Sequence, residues 1–368
     1  MKKILHIAAF QGNIGDNASH IGFSNILDLL DIHSVVDRIE IRKTYNNYTE
    51  DDKIIFDDKF VELANNYDFV VFGGGGFLDY WVDGSVNGTT INIRNDILSK
   101  IRSRILITSI GSNPHREVPV ENLKKYKNFL DYVRTNDNIK IALRNDGSEE
   151  SIKKDLGEEY LSIFNSVLDH GFFYELEKTP FSIEEEYAAI NITADQIEMY
   201  SNGKKLDNKS RYLNEMRDLI LDIIELKKLK VIFVPHIFSD INAISELLSI
   251  IPDRYKRSEI SIAPLYQGDV GTNYIFNIYQ NSKFTIASRY HANVCVLNSD
   301  SNVIGLSPLN RINYIHKQFS KNDSYVSLEK GFKEKVLNLM NNDISINKVK
   351  LENLKDKTLD FYREYFNC

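Results

Sequence analysis

Short apolar runs, each cut off by Gly, Asn, Asp or Pro and followed by a stretch with helical periodicity, recur along almost the whole chain. No other feature constrains the fold as strongly. Ile4–Phe10, Val35–Ile41, Phe69–Phe72, Ile105–Ile110 and Ile139–Leu143 have the length and composition of buried strands. Ser19–Leu30, Lys59–Asn65 and Glu121–Val133 read as the helices between them. Strands alternating with helices imply right-handed crossovers and a mainly parallel sheet. The pattern pauses after Asp169-His170-Gly171, and the acidic segment Glu175–Glu186, carrying Pro180, reads as a linker. It then restarts. Tyr187–Ile192, Val231–Val234, Ile260–Ala263, Phe284–Ala287 and Asn302–Leu306 are the next strands, with helices over Arg211–Leu226 and Ile241–Ile250. The expectation is an α/β protein of two Rossmann-type domains, 1–174 and 187–335, with mainly parallel sheets facing a cleft and a helical tail over 336–368. Ligands of such folds bind outside the carboxyl ends of the strands.

A length of 368 residues suits two domains. The formal net charge of −7 argues against a nucleic-acid partner held by bulk electrostatics. An anionic substrate would therefore need cations gathered in one site. Cys295 and Cys368 lie far apart and suggest neither a disulfide framework nor a cysteine metal cluster, which fits a reducing, cytoplasmic compartment. Met1-Lys2-Lys3 followed by Ile4–Phe10 superficially resembles a signal peptide. With His6 inside the run and Gln11-Gly12-Asn13 ending it, a buried first strand is the better reading. No stretch approaches the ~18 apolar residues of a membrane span, and peripheral association with the inner face of a membrane stays compatible with the sequence.

Five segments at strand ends carry chemistry. Gln11–Ser19 contains two glycines and opens a helix, whose first N–H groups and positive dipole end suit an anion or sugar hydroxyls. Asp16 could take a hydroxyl proton; equally, Asp16 or Asn17 could cap the helix. Gly73-Gly74-Gly75-Gly76 follows a strand and points either to close backbone approach to a ligand or to a plain tight turn. It lacks the Gly-Lys-Ser/Thr of a P-loop and the spacing of a dinucleotide fingerprint. Asp79, Tyr80 and Trp81 follow and could line a sugar site. Arg144 ends a strand, where its planar fork suits phosphate or carboxylate, or simply pairs with Asp146. Val234-Pro235-His236 ends another strand, with Ser239 or Asp240 placed to cap the next helix. Ser288-Arg289-Tyr290-His291-Ala292-Asn293 sets a guanidinium and an imidazole two residues apart. In an extended segment both would point to one side, a combination suited to an anionic substrate that must be protonated.

Taken in order, Gly12–Asn17, Gly73–Gly76, Leu143–Asp146, Asp169–Phe172, Val234–His236 and Ser288–Ala292 resemble the polysaccharide pyruvyl transferase family over about residues 5–310. The chain departs from the family at His170-Gly171, where Asp is usually followed by Pro-Ala. The resemblance implies a glycosyltransferase-B-like fold, no cofactor and no metal, with phosphoenolpyruvate as donor. The acceptor would be a sugar on a lipid, a nucleotide or a polymer, and the product a pyruvate ketal of a surface polysaccharide such as a capsule or exopolysaccharide. By motif, Arg144 and Arg289 would hold the donor's phosphate and carboxylate and His291 would be the general acid, with His236 and Ser288 lining the same donor site. Asn13, Asp16, Asn17, Gly74, Gly75, Asp79, Tyr80 and Trp81 would face the acceptor. Two other readings compete. A nucleotide-sugar glycosyltransferase on the same scaffold could use Ile262–Gln267 for base and ribose. An inactive relative would act as a carbohydrate-binding partner.

Overall fold

The computed structural model describes residues 1–177, 179, 183–193, 200–201, 204–205, 209–299, 301–320, 322–342 and 344–367. Pro180, inside the expected linker, and Cys368 lie outside them. The chain divides into two compact units. The first comprises residues 1–10, 19–173 and 353–368, and the second 11–18 and 174–352.

The first unit is built on a six-stranded, wholly parallel sheet. Its strands are β1 (Lys2–Ala8), β2 (Ser34–Glu40), β3 (Phe69–Gly75), β4 (Arg104–Ile110), β5 (Ile139–Arg144) and β6 (Phe164–Val167), in the order β2-β1-β3-β4-β5-β6. The central strand β3 is buried at every residue, as a parallel strand covered by helices on both faces must be. Both edge strands are partly exposed, and β6 (Phe-Asn-Ser-Val) lacks the apolar run that makes a strand visible in sequence. Phe60, Tyr126, Phe129 and Leu130 of the flanking helices pack with Phe72, Ile105, Ile107 and Ile141 to form the core.

Of the expected tail, residues 353–368 belong to this unit and 336–352 to the second. In the helix Lys348–Asn367, Tyr362 bonds through its hydroxyl to His170 Nε2 (2.6 Å) and Thr108 Oγ1 (2.5 Å). Thr358 Oγ1 accepts from Leu168 N (3.0 Å), and the Phe366 ring lies 4.9 Å from that of Phe69. Apolar positions at helical spacing gave the tail a buried face, and residues 353–367 place it on the first sheet.

The second unit repeats the plan. β7 (Tyr187–Asn191), β10 (Lys230–Phe233), β11 (Ile260–Ile262), β12 (Phe284–Ala287), β13 (Val303–Leu306) and β14 (Tyr325–Val326) form a parallel sheet in the order β11-β10-β7-β12-β13-β14. β8 (Tyr200–Ser201) and β9 (Lys204–Lys205) make a small antiparallel pair. Tyr212, Met216, Leu219 and Ile223 of the helix Lys209–Lys227 pack with Ile190, Val231 and Phe233.

In each sheet the winding direction reverses once, between β1 and β3 and between β7 and β12. Such reversals leave a crevice at the carboxyl ends of the strands, where doubly wound folds bind ligands. Among the described residues no helix is long and apolar enough to cross a membrane.

Candidate functional site

In the second unit the reversal point is occupied by the segment after β12. The helix Tyr290–Asn298 starts there, with Arg289 as its extended N-cap (φ −83°, ψ 142°). Arg289 and His291 are therefore not alternate residues of an extended strand, as the spacing suggested. One precedes the helix and the other sits in its first turn. The Arg289 backbone is clamped from two sides. Asn191, ending β7, accepts from Arg289 N through Oδ1 (2.8 Å) and donates through Nδ2 to Val234 O (2.9 Å). Asn293 donates to Ala287 O (3.1 Å) and Arg289 O (2.8 Å). The Asn293 carbonyl is in turn held by His316 Nε2 (2.8 Å), whose Nδ1 meets Ser324 Oγ (2.6 Å). Burial lowers the pKa of His316 to about 3, so the imidazole is neutral and serves this network with one donor and one acceptor.

The Arg289 side chain is 14% exposed and rests on Asp240, which is fully buried. Nη2 donates to Asp240 Oδ1 (2.6 Å) and Ser239 Oγ (3.4 Å), and Nε to Asp240 Oδ2 (3.4 Å). Asp240 also accepts from His236 N (2.9 Å) and Ile237 N (3.3 Å) at the start of the helix Phe238–Ile250. One carboxylate thus joins a helix cap to a guanidinium. The sequence suggested the cap but not the ion pair, which needs residues 49 positions apart.

His236 is fully buried, and its Nε2 meets the Tyr279 hydroxyl at 2.8 Å. Burial first, then the charges of Arg289 and His291, hold its pKa well below the ordinary value, so it is neutral. Burial likewise keeps the Tyr279 phenol protonated. With that phenol donating to Nε2, the His236 proton sits on Nδ1, which has no protein partner. His291 is 7% exposed, and its ring lies edge-on to Tyr290. A Cβ at Gly15 would fall 2.7 Å from the His291 Cβ and 2.8 Å from its Nδ1, so only glycine admits the imidazole here. Ser288 is not available to a ligand, because its hydroxyl donates to Leu306 O (2.7 Å) and ties β12 to β13.

The segment 11–18 belongs to this unit. Asn13, rather than Asp16 or Asn17, caps the helix Ile14–Leu29. Its Oδ1 accepts from Gly15 N (3.0 Å), and its backbone carbonyl accepts from Asp16 N and Asn17 N. Asp16 lies half-buried in the first turn, and the buried Asn17 donates to Asp269 Oδ1 (3.2 Å).

The first unit treats its predicted residues differently. Arg144 is 2% exposed, with Nε on Asp146 (2.7 Å) and Nη1 on Asp169 (3.3 Å). Two carboxylates already neutralise this guanidinium, so it joins the ends of β5 and β6 rather than presenting an open fork. Gly74 has φ +74°, and a Cβ there would fall 2.4 Å from Ser19 Oγ; one at Gly75 would overlap the Phe77 ring. The close backbone approach that the glycine run implied is thus met by the protein itself. Tyr80 is fully buried, stacked on Tyr126 (5.0 Å) and bonded to Asp155 (2.7 Å), which leaves no face for a sugar.

Asp79 and Trp81 sit otherwise. Asp79 Oδ1 accepts from Asn113 N (2.8 Å), and Oδ2 lies 3.6 Å from His115 Nδ1. The Arg116 guanidinium lies 4.5 Å from the centroid of the Trp81 ring. Asn113, His115 and Arg116, on the loop after β4, were not singled out from sequence, where Asn-Pro-His-Arg carries no recognisable spacing. Among the described residues no group of His, Cys, Asp or Glu could hold a metal ion.

Comparison with known proteins agrees with this architecture. The profile of the polysaccharide pyruvyl transferase family matches residues 13–310. No curated protein matches the sequence. Among solved structures, the UDP co-structure of Staphylococcus aureus MnaA is 10% identical (TM-score 0.54), covering 97% of this chain and 91% of its own. A Methanocaldococcus jannaschii UDP-GlcNAc 2-epimerase in complex with UDP-GlcNAc and UDP is 14% identical (TM-score 0.55), covering 94% of each chain. A glycosyltransferase from Rickettsia africae is 11% identical (TM-score 0.54), covering 99% of this chain and 93% of its own. At these identities the likeness is one of fold, the glycosyltransferase-B-like pairing of two Rossmann-type units.

Proposed function

Because the chain belongs to the polysaccharide pyruvyl transferase family, we propose that it transfers the three-carbon unit of phosphoenolpyruvate to two hydroxyls of one sugar, releasing phosphate and leaving a pyruvate ketal. The observation that carries the reading is the arrangement around Arg289. A guanidinium 14% exposed and fixed by Asp240 stands near His236, a neutral imidazole with an unpartnered Nδ1. An anion offered to this site finds a cation, a neutral donor and the N–H groups of the first turn of the helix Tyr290–Asn298.

The donor's vinyl ether carbon becomes electrophilic only as the methylene carbon is protonated. His291 supplies that proton, and the electrons of the double bond form the new C–H bond. The resulting oxocarbenium is stabilised by the donor's own carboxylate. One sugar hydroxyl adds to it, the C–O bond to phosphate breaks, and the second hydroxyl closes the ketal. Of the two hydroxyl protons, one restores the imidazolium and the other leaves with phosphate. A positioned acid contributes about 10²–10⁴-fold to such a step. Arg289 holds the donor by a bidentate contact and stabilises the departing phosphate. Asp16, next to the glycine that seats His291, is the group proposed to receive an acceptor hydroxyl. Arg144 is left out of the donor set because its side chain is only 2% exposed between two carboxylates, whereas that of Arg289 is 14% exposed.

The test is titration with phosphoenolpyruvate and with nucleotide sugars, followed by acceptor-dependent phosphate release from wild type and His291→Ala. Saturable phosphoenolpyruvate binding and a loss of about 10²-fold or more in release are expected. Binding of nucleotide sugar alone, or equal release by the variant, would remove the proposal.

A further inference from the structure

Trp81 is the only tryptophan in the chain, and it lies on the segment that follows β3 at the carboxyl end of the first sheet. Its indole Nε1 is buried without a hydrogen-bond partner. Arg116, itself exposed, lies over its ring. Asp79 and His115 form a polar pair on the segments that follow β3 and β4, and the Trp81 and His115 rings are 6.1 Å apart. Gly76 keeps the Asp79 carboxylate in place, since a Cβ there would lie 3.0 Å from Oδ2. The cluster therefore combines an aromatic surface, an unused N–H donor, a carboxylate–imidazole pair for hydroxyls, and a solvent-facing cation.

We propose that this cluster binds a glycosyl phosphate, with the sugar against Trp81 and the Asp79–His115 pair and the phosphate on Arg116. The inference rests on the pyruvyl transfer reading for its place in the reaction. It narrows the acceptor class to sugars still joined to a phosphate, as opposed to a neutral finished polymer. A pyranose has one apolar face for an aromatic ring and hydroxyls at its edge for a carboxylate and an imidazole. Neither feature accounts for the cation, which a phosphate at the anomeric position does.

Fluorescence of the single tryptophan reads the site directly in the full chain. Titrations use glucose 1-phosphate and galactose 1-phosphate against the corresponding methyl glycosides, with inorganic phosphate alone as control. At least one sugar phosphate is expected to quench with an affinity ten-fold or more above its methyl glycoside. Arg116→Ala should abolish that difference, and Arg116→Lys should restore part of it; the position is exposed, so both variants should keep the wild-type melting temperature. Equal affinities for sugar phosphates and glycosides, no quench by any of them, or an unchanged preference in Arg116→Ala would overturn the proposal. A UDP-linked sugar and a short prenyl-diphosphate-linked sugar, run as further arms, separate a nucleotide from a lipid source of the phosphate. Phosphoenolpyruvate binding, measured by calorimetry on the same samples, should be untouched by Arg116→Ala. Its absence in wild type would remove the donor assignment while leaving the glycosyl phosphate result standing.

Discussion

Gly15 and His291 occupy one space: a side chain at the first would begin 2.7 Å from the Cβ of the second. A position 276 residues upstream in sequence thereby decides whether the imidazole can take its place. Gly15→Ala must displace His291 or the start of the helix Ile14–Leu29. Overpacking of this kind costs about 1–3 kcal/mol, which the fold should survive. Phosphate release should fall at least ten-fold with a modest drop in melting temperature. A variant with wild-type turnover would mean that His291 does not need this seat.

Asp240 fixes Arg289, so Asp240→Asn should act through the donor. Removing one partner of a buried ion pair typically costs about 3–5 kcal/mol; the partial exposure of Arg289 places the expectation at the low end. The phosphoenolpyruvate KM should rise by about ten-fold or more, with kcat less affected. Arg289→Lys should lose most activity, because a point charge cannot reproduce a bidentate contact. Near-normal donor affinity in both variants would contradict the assignment.

His316 makes stability depend on pH in a direction that can be worked out. Its pKa is about 3 when folded, against an ordinary 6.5. Between these values the unfolded chain binds a proton that the folded chain refuses, so stability rises with pH across the window and is fully present above it. Each such histidine contributes a slope of about 1.4 kcal/mol per pH unit, and His6 and His236, both shifted downward, add in the same sense. Urea unfolding at pH 6 and pH 5 should show a steeper loss for wild type than for His316→Gln, by about that slope. Equal slopes would place the proton elsewhere.

Tyr362 links the last helix to β4 and to His170. Tyr362→Phe deletes the hydroxyl and leaves His170 Nε2 and Thr108 Oγ1 buried without it, which should cost about 1–3 kcal/mol. Removal of residues 353–368 should expose Phe23 and Phe69 and prevent stable folding of the first unit. Thermal melts of the two proteins check this, and a truncated protein that melts like wild type would refute it.

Local pattern revealed much of the fold. Ten of the strands could be placed because a buried strand in a parallel sheet must be an apolar run, and the chain must turn at its end. Of the other four, β8 and β9 form a separate pair of two-residue strands, too short for an apolar run. β6 and β14 lie at sheet edges, where partial exposure relaxes the demand for apolar residues. The same logic places Arg289, His291, His236 and Asp16 at strand ends and helix starts.

Which of those residues remain open to chemistry was decided by tertiary structure, because openness depends on partners that sequence spacing does not record. Arg144 and Arg289 look alike in sequence, each following a strand. The first is 2% exposed between two carboxylates, one of them 25 residues away, while the second, 14% exposed, rests on a carboxylate 49 residues away. Tyr80 and Trp81 are adjacent, yet one is core and the other lies under an exposed arginine. A sequence specifies where polar groups occur along the chain; folding decides which of them neutralise one another and which are left to meet a substrate.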